Sequence, residues 1–251
     1  MFAARPQFWY QAPSGAAWGN NLYFPNTATQ FLSKVGTTNL NTWKATTGYT
    51  IEYWGYWTAF SASINGGPGN QDGNGTNYWS FGPITGGMLE FYYWGSGQQY
   101  FNTATGAIPL NTWTNIAAVF TTTGTSTTAN LYINGVRQNI QWNKTGSFAQ
   151  TQTVTNGVVG TSVVFGMGKY GSNKFGGYID NLRASNINRY SGASYTLATG
   201  PFTSDSSTQL LIQPTDAVGS TTISYQAAPG NGTMTNASNQ VSVVNTHANH
   251  T

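Results

Sequence analysis

Hydrophobic positions along this chain recur in short runs that alternate with polar ones and stop at Gly, Asn, Pro or Ser; the three-and-four spacing of a helix is hardly found. Alternation with a period of two sends successive side chains to opposite faces of a strand, so the pattern predicts an all-β protein. The predicted strands cover 22–24, 30–34, 49–60, 77–81, 88–94, 98–102, 113–121, 129–133, 136–141, 163–166, 175–186 and 208–212. Leu131 to Gln138 reads LYINGVRQ, in which Asn134 and Gly135 supply the two positive-φ residues of a type I′ hairpin turn. Both are therefore expected to be structural residues.

Two strands define the faces. Between Tyr49 and Trp57, alternation groups Tyr49, Ile51, Tyr53, Gly55 and Trp57 against Thr50, Glu52, Trp54 and Tyr56. Leu89, Phe91 and Tyr93 likewise oppose Glu90, Tyr92 and Trp94. One face of each strand suits a core. The other mixes aromatic and polar groups, which fits a second packing layer or an open binding surface, the packing layer being the expectation.

Composition narrows the function classes. Of 251 residues only 6% are charged while 15% are aromatic, and Gly contributes 31. An average soluble domain is about one quarter charged, so Asn, Thr, Ser and Gln must solvate this surface. Aromatic and β-branched content argues against disorder, and the length fits one main domain. The net charge of +3 comes from scattered residues, without the clustered basic stripe of a nucleic-acid interface. No apolar run approaches a membrane span. Met1 to Pro13 lacks the apolar stretch of a secretory leader, and the absence of cysteine rules out disulfides and thiolate sites.

GYTIEYWGYW at Gly48 to Trp57, NLYF at Asn21 to Phe24, LNTWTNIAAVF with ANLYINGV at Leu110 to Phe120 and Ala129 to Val136, and the stretch from Phe175 to Ile212 together resemble the laminin G-like, concanavalin A-like lectin and glucanase superfamily. GYTIEYWGYW, Gly48 to Trp57, is similar to that family's "FTIEFWV" strand, and NLYF, Asn21 to Phe24, to the strand that opens its fold. LNTWTNIAAVF, Leu110 to Phe120, followed by ANLYINGV, Ala129 to Val136, resembles its "WTHVAVTY…LYVNG" hairpin region. FGGYIDNLRASNINRYSGASYTLATGPFTSDSSTQLLI, Phe175 to Ile212, is similar to the family's "G-x-ID-x-LRI…RY…F…D…T-LL" ending, which is frequent in phage virion proteins. The resemblance implies a jelly-roll sandwich of two antiparallel sheets. It departs at Phe24-Pro25-Asn26, where relatives often carry "FDG", so the acidic group that can support calcium in the family is missing.

Candidate chemistry is sparse. The superfamily's hydrolases place carboxylates on one strand face in an E-x-D-x-x-E run, and none occurs here; a catalytic pair would have to come from Glu52 and Glu90 on different strands. His247 and His250 sit at the C-terminal end and offer no base to a serine triad. In GNQDGNGTNYW, Gly69 to Trp79, the residues Asn70, Asp72 and Asn74 imitate the start of a calcium loop, but the twelfth position is Phe81. No cofactor is expected, and these three are the weak metal candidates. Asp180 is expected to be structural, its carboxylate accepting backbone N–H groups or meeting Arg183 or Arg189 and so holding the closing strand. Tyr78, Trp79, Tyr92, Trp94 and Tyr100 are the candidate ligand-binding residues, because rings stack on sugar faces and anchor interfaces.

The resulting expectation is an N-terminal extension over 1–19, a jelly roll over 20–213, and a C-terminal extension or docking arm over 214–251, in which Val241 to Val244 could add a strand to a neighbouring sheet or subunit. The protein is expected to be non-enzymatic. The resemblance implies a phage virion component, a capsid decoration or fibre exposed on the particle, made in the host cytoplasm, with other virion proteins and copies of itself as partners. The alternative is a carbohydrate-binding module for cell-surface glycans. Neither nucleic acid nor membrane is an expected partner.

Overall fold

The structure, a computed structural model, describes residues 19–27, 30–35, 48–61, 67–70, 79–94, 98–124, 126–155, 164–170, 173–227, 230–237 and 239–245. Its strands are β1 (Asn21–Pro25), β2 (Phe31–Val35), β3 (Gly48–Ala59), β4 (Gly69–Asn70), β5 (Trp79–Ile84), β6 (Met88–Trp94) and β7 (Gln98–Thr103). There follow β8 (Thr114–Thr123), β9 (Ser126–Ile133), β10 (Val136–Arg137), β11 (Ile140–Trp142), β12 (Gln152–Thr155), β13 (Val164–Met167), β14 (Lys169–Tyr170) and β15 (Asn173–Lys174). The last are β16 (Gly176–Ser185), β17 (Thr208–Ile212), β18 (Ile223–Ala227), β19 (Gly230–Ala237) and β20 (Ser242–Val244). Among the described residues there is no α-helix, only a 3₁₀ turn at Thr85–Gly87.

The strands form two antiparallel sheets, the jelly-roll sandwich that the resemblance implies. In the first, β20, β1, β16, β3, β8 and β9 lie side by side, and β9 continues to β10 and β12. β16 has β1 along its first half and β17 along its second. In the second, the order is β2, β13, β4, β5, β6, β7, β11. β19 serves both: Met234 pairs with Ile223 of β18, and the next residue, Thr235, pairs with Ser33 of β2. At the predicted hairpin, Asn134 and Gly135 take φ of 48° and 77°, the Asn134 Oδ1 accepts the Asn115 N–H at 2.9 Å, and β9 runs into β10.

The core lies between the sheets and is dominated by rings. Tyr49, Tyr53 and Trp57 of β3 meet Trp79, Phe81, Phe91 and Phe101 of the second sheet, all fully or nearly fully buried. Each such side chain contributes about 1.5–3 kcal/mol by leaving water. The Tyr53 hydroxyl donates to the Phe81 carbonyl at 2.9 Å, which satisfies the phenol in an apolar setting.

The outward face of the first sheet carries the second packing layer. Residues 186–207 cross it, so that Tyr190 and Tyr195 pack on Ala117, Val119 and Tyr132, while Phe202 packs on Trp54 and Leu211. Tyr190 and Tyr195 stack with centroids 3.7 Å apart and planes at 8°.

The segment after Pro214, expected as an extension or docking arm, takes part in the sandwich itself. Leu22 of β1 pairs with Val243 of β20, and Val241 and Val243 are fully buried in the main core. Two valines on one face suffice to seat an edge strand, a weak signal in a stretch otherwise rich in Asn, Ser and Thr.

Candidate functional site

The outward face of the second sheet gathers the remaining polar and aromatic groups. Glu90 lies opposite Asn102, and Tyr92 lies between Ser80 and Tyr100, so these side chains project from neighbouring strands on one side. β11 pairs with β7, and just after it Asn143 and Lys144 turn with φ of 51° and 58°. The turn is anchored by Asn143, whose Oδ1 accepts the Tyr100 N–H at 3.0 Å and whose Nδ2 donates to the Gln99 Oε1 at 3.0 Å. It sets the Lys144 Nζ 4.4 Å from the centre of the Tyr100 ring and 2.9 Å from the Glu90 Oε2.

Burial pushes the Glu90 carboxyl up to about 7, the Lys144 ammonium acting in the opposite direction. Glu90 is wholly buried while Lys144 keeps 35% of its side chain exposed. A ligand on this face would therefore meet the half-buried Tyr100 and Lys144 first, with Glu90 behind them. An aromatic ring capped by a cation, with side-chain amides nearby, suits a hydroxylated ligand, whose hydroxyls find donors and acceptors there.

The predicted ligand residues separate. Tyr92 and Tyr100 meet, with centroids 5.1 Å apart, but Tyr92 is completely buried and can only support Tyr100. Trp79 is corrected outright: its ring faces the core, stacked on Phe91 at 5.5 Å and 14°. Its pairing with Tyr93 places it on the inner face beside Phe81, because β5 starts one residue after Tyr78. Trp94 ends β6 opposite Gln98. Tyr78, Asp72, Asn74, His247 and His250 lie outside the described residues, and Asn70 pairs with Trp79 in the backbone ladder of β4 and β5. Lys144, Asn143 and Asn102 were not foreseen from sequence; the Asn143-Lys144 pair after Trp142 is a turn signal that could have pointed to them.

The acidic residues also separate. Glu52 lies on the outward face of the first sheet and Glu90 on the outward face of the second. Packed sheets are about 10 Å apart and these two side chains point away from each other, whereas glycosidase carboxyl pairs work at about 5–9.5 Å. Glu52 is fully buried, accepting from Arg183 at 2.7 and 2.9 Å and from the Tyr190 hydroxyl at 2.6 Å.

The two arginines expected as alternative partners of Asp180 both meet other carboxylates. The β16 register jumps between Asp180, opposite Trp54, and Arg183, opposite Glu52, with Asn181 at φ 47° inside the bulge. Arg183 is thereby delivered to Glu52, and Arg189 forms a two-pronged contact with Asp205 at 2.8 and 3.0 Å. Arg189 holds the Asp205 carboxyl well below the usual carboxylate range. Burial pushes the fully buried Asp180 up to about 7, with Asn181 hydrogen bonds opposing. Among the described residues no three of His, Cys, Asp and Glu come together as metal ligands.

Comparison with known proteins agrees with this architecture. No curated protein matches the sequence. Among solved structures, a proposed carbohydrate-binding protein of Bacteroides ovatus is 13% identical with a TM-score of 0.50, the match covering 91% of this chain and 58% of that one. This chain thus spans less than two thirds of that protein. A heptameric SAP-like pentraxin from Limulus polyphemus is 12% identical (TM-score 0.46; 70% and 79% covered). The CBM40 domain of the Ruminococcus gnavus IT-sialidase, solved with α2,3-sialyllactose, is 13% identical (TM-score 0.43; 71% and 92% covered). The likeness at these identities is one of fold. A laminin G family model, described as concanavalin A-like lectin/glucanases superfamily, matches residues 26–191, and the chain belongs to that superfamily.

Proposed function

We propose that this chain is a non-enzymatic carbohydrate-recognition domain that binds glycans on the outward face of its second sheet, through Tyr100 and Lys144. The observation that carries the reading is the turn at Asn143 and Lys144, which fixes an ammonium 4.4 Å from an accessible aromatic ring with amides alongside. Membership of a lectin superfamily and the carbohydrate-binding description of the Bacteroides ovatus protein support it. A glycan array tests it: the wild-type chain retains a defined set of glycans, and Tyr100→Ala or Lys144→Ala weakens retention about tenfold, the worth of about 1.4 kcal/mol. An array that retains nothing overturns the reading. The non-enzymatic part fails if the protein releases sugar from a retained glycan and Glu90→Gln or Glu52→Gln abolishes the release.

Glycan recognition fits the C-terminal strands better than virion assembly does. The C-terminal segment that would join subunits is already paired within the chain, β20 to β1 and β19 to β2. Mass spectrometry of purified phage particles tests assembly separately.

A further inference from the structure

A second site is built by the C-terminal strands, outside the segment that matches the family. β17 and β18 are paired at one position, Leu211 with Gln226, and a cleft of about 220 Å³ opens beside it. Leu211 and Gln213 line it from β17 and the residue after, Ser224 and Gln226 from β18, and Thr215 from the connection. Tyr225 and Gly232 complete the wall; they are opposite each other in the β18–β19 ladder, and the Tyr225 ring lies over the glycine, where any Cβ would overlap it.

Two of the polar groups, Gln213 and Ser224, are held in place and keep capacity for a ligand. Gln213 donates its amide N–H to the Asn181 Oδ1 at 3.3 Å and to the Phe202 carbonyl, which leaves its own carbonyl oxygen as an acceptor. The Ser224 hydroxyl donates to the Asp216 Oδ1 at 2.8 Å, and the Ser224 N–H to the Asp216 Oδ2 at 2.7 Å, so the nearest carboxylate is engaged and the hydroxyl oxygen can still accept. The Thr215 hydroxyl and the Gln226 amide make no side-chain hydrogen bond among the described residues.

The lining selects a class of ligand. It contains no charged side chain, so an ionic ligand would lose water without gaining a counter-charge. A wholly apolar one would leave the Gln, Ser and Thr groups unpaired. A neutral polyhydroxylated ring satisfies both conditions, its hydroxyls meeting the amides and hydroxyls and its C–H face meeting the half-buried Tyr225. Drug-sized ligands fill about 300–1,000 Å³, so this smaller cleft fits a single ring. We infer that the cleft between β17 and β18 is a binding site for one neutral sugar residue, a site separate from the Tyr100–Lys144 face; the choice of sugar as ligand rests on the glycan-recognition reading.

Saturation-transfer NMR with methyl β-glucopyranoside, methyl β-galactopyranoside and N-acetylglucosamine, on the full chain, tests this. Thr215→Ala/Gln226→Ala changes two exposed side chains, and its melting temperature reports that the fold is kept. The expected result is transfer to at least one of these sugars that falls about tenfold in the double variant, as loss of two hydrogen bonds requires, and is unchanged in Tyr100→Ala. Transfer indifferent to the double variant overturns the cleft site. So does no transfer from any of the three while the array still retains glycans, an outcome that leaves the Tyr100–Lys144 reading standing. No transfer together with an empty array overturns both.

Discussion

Replacing Glu52 by Ala removes the acceptor that ties the 186–207 layer to the first sheet. The Arg183 side chain is only 11% exposed, its Nη1 reaches the Thr203 carbonyl at 3.1 Å, and its guanidinium lies 4.6 Å from the Phe202 ring centre. In Glu52→Ala this cation stays in place without its carboxylate. Breaking a buried ion pair from one side costs about 3–5 kcal/mol, and the Tyr190 hydroxyl losing its acceptor adds about 1 kcal/mol. In a chain of this size 1 kcal/mol corresponds to about 2–4 °C, so the melting temperature should fall by about 8–24 °C. Glu52→Gln keeps one oxygen for Arg183 or Tyr190 and should lose about half as much. Urea unfolding followed by tryptophan fluorescence gives the free energies directly. The informative variant is Glu52→Ala/Arg183→Met, which removes the orphaned cation and should recover part of the loss. A single-variant cost below about 1 kcal/mol, the range of exposed pairs, would refute the buried-pair argument, as would a double variant that recovers nothing. Glycan retention should be unchanged throughout, because Glu52 and Tyr100 sit on opposite outward faces.

Other consequences can be checked on the same protein. Glu90 and Asp180 each rise to about 7 in the folded state, from ordinary values of 4.5 and 3.8. The folded chain therefore binds more protons than the unfolded one between about pH 4 and pH 7, and this contribution to stability is present at low pH and lost as pH rises through 7. The melting temperature of wild type, measured against that of Glu90→Gln/Asp180→Asn, should gain on acidification from pH 8 to pH 5; parallel curves would contradict the burial argument. Gly135→Ala forces a side chain onto a positive φ and against the Tyr195 carbonyl, so chemical denaturation should show a loss of at least about 1–2 kcal/mol. Chelation by EDTA should leave the melting temperature unchanged, since Pro25 stands where the family's acidic group would be; a fall reversed by added calcium would assign an ion.

Much of the fold is legible without coordinates, because strand alternation, the Asn134-Gly135 turn and the inward ring set of β3 are local properties of a few consecutive residues. Leu89, Phe91 and Tyr93 face the core as their spacing requires. Alternation fixes which residues share a face but leaves the sign of the face open. Trp79 shows the limit: Tyr78 and Trp79 are equivalent by composition, and only the pairing of Trp79 with Tyr93 turns the tryptophan inward. The same holds for Glu52 and Glu90, alike on paper as acids among aromatics, which the sandwich sends to opposite outward surfaces.

Three further features come from tertiary structure alone. The bulge at Asn181 passes Arg183 to Glu52, the strand β19 crosses from one sheet to the other, and a turn far along the chain lays Lys144 beside Glu90. Each depends on contacts between residues distant in sequence, where the deciding energy lies in desolvated charge and shared burial. Residue type and spacing determined that this chain would be all-β. Which of its aromatic and charged groups can meet a ligand was decided by what the sheets and the 186–207 layer cover.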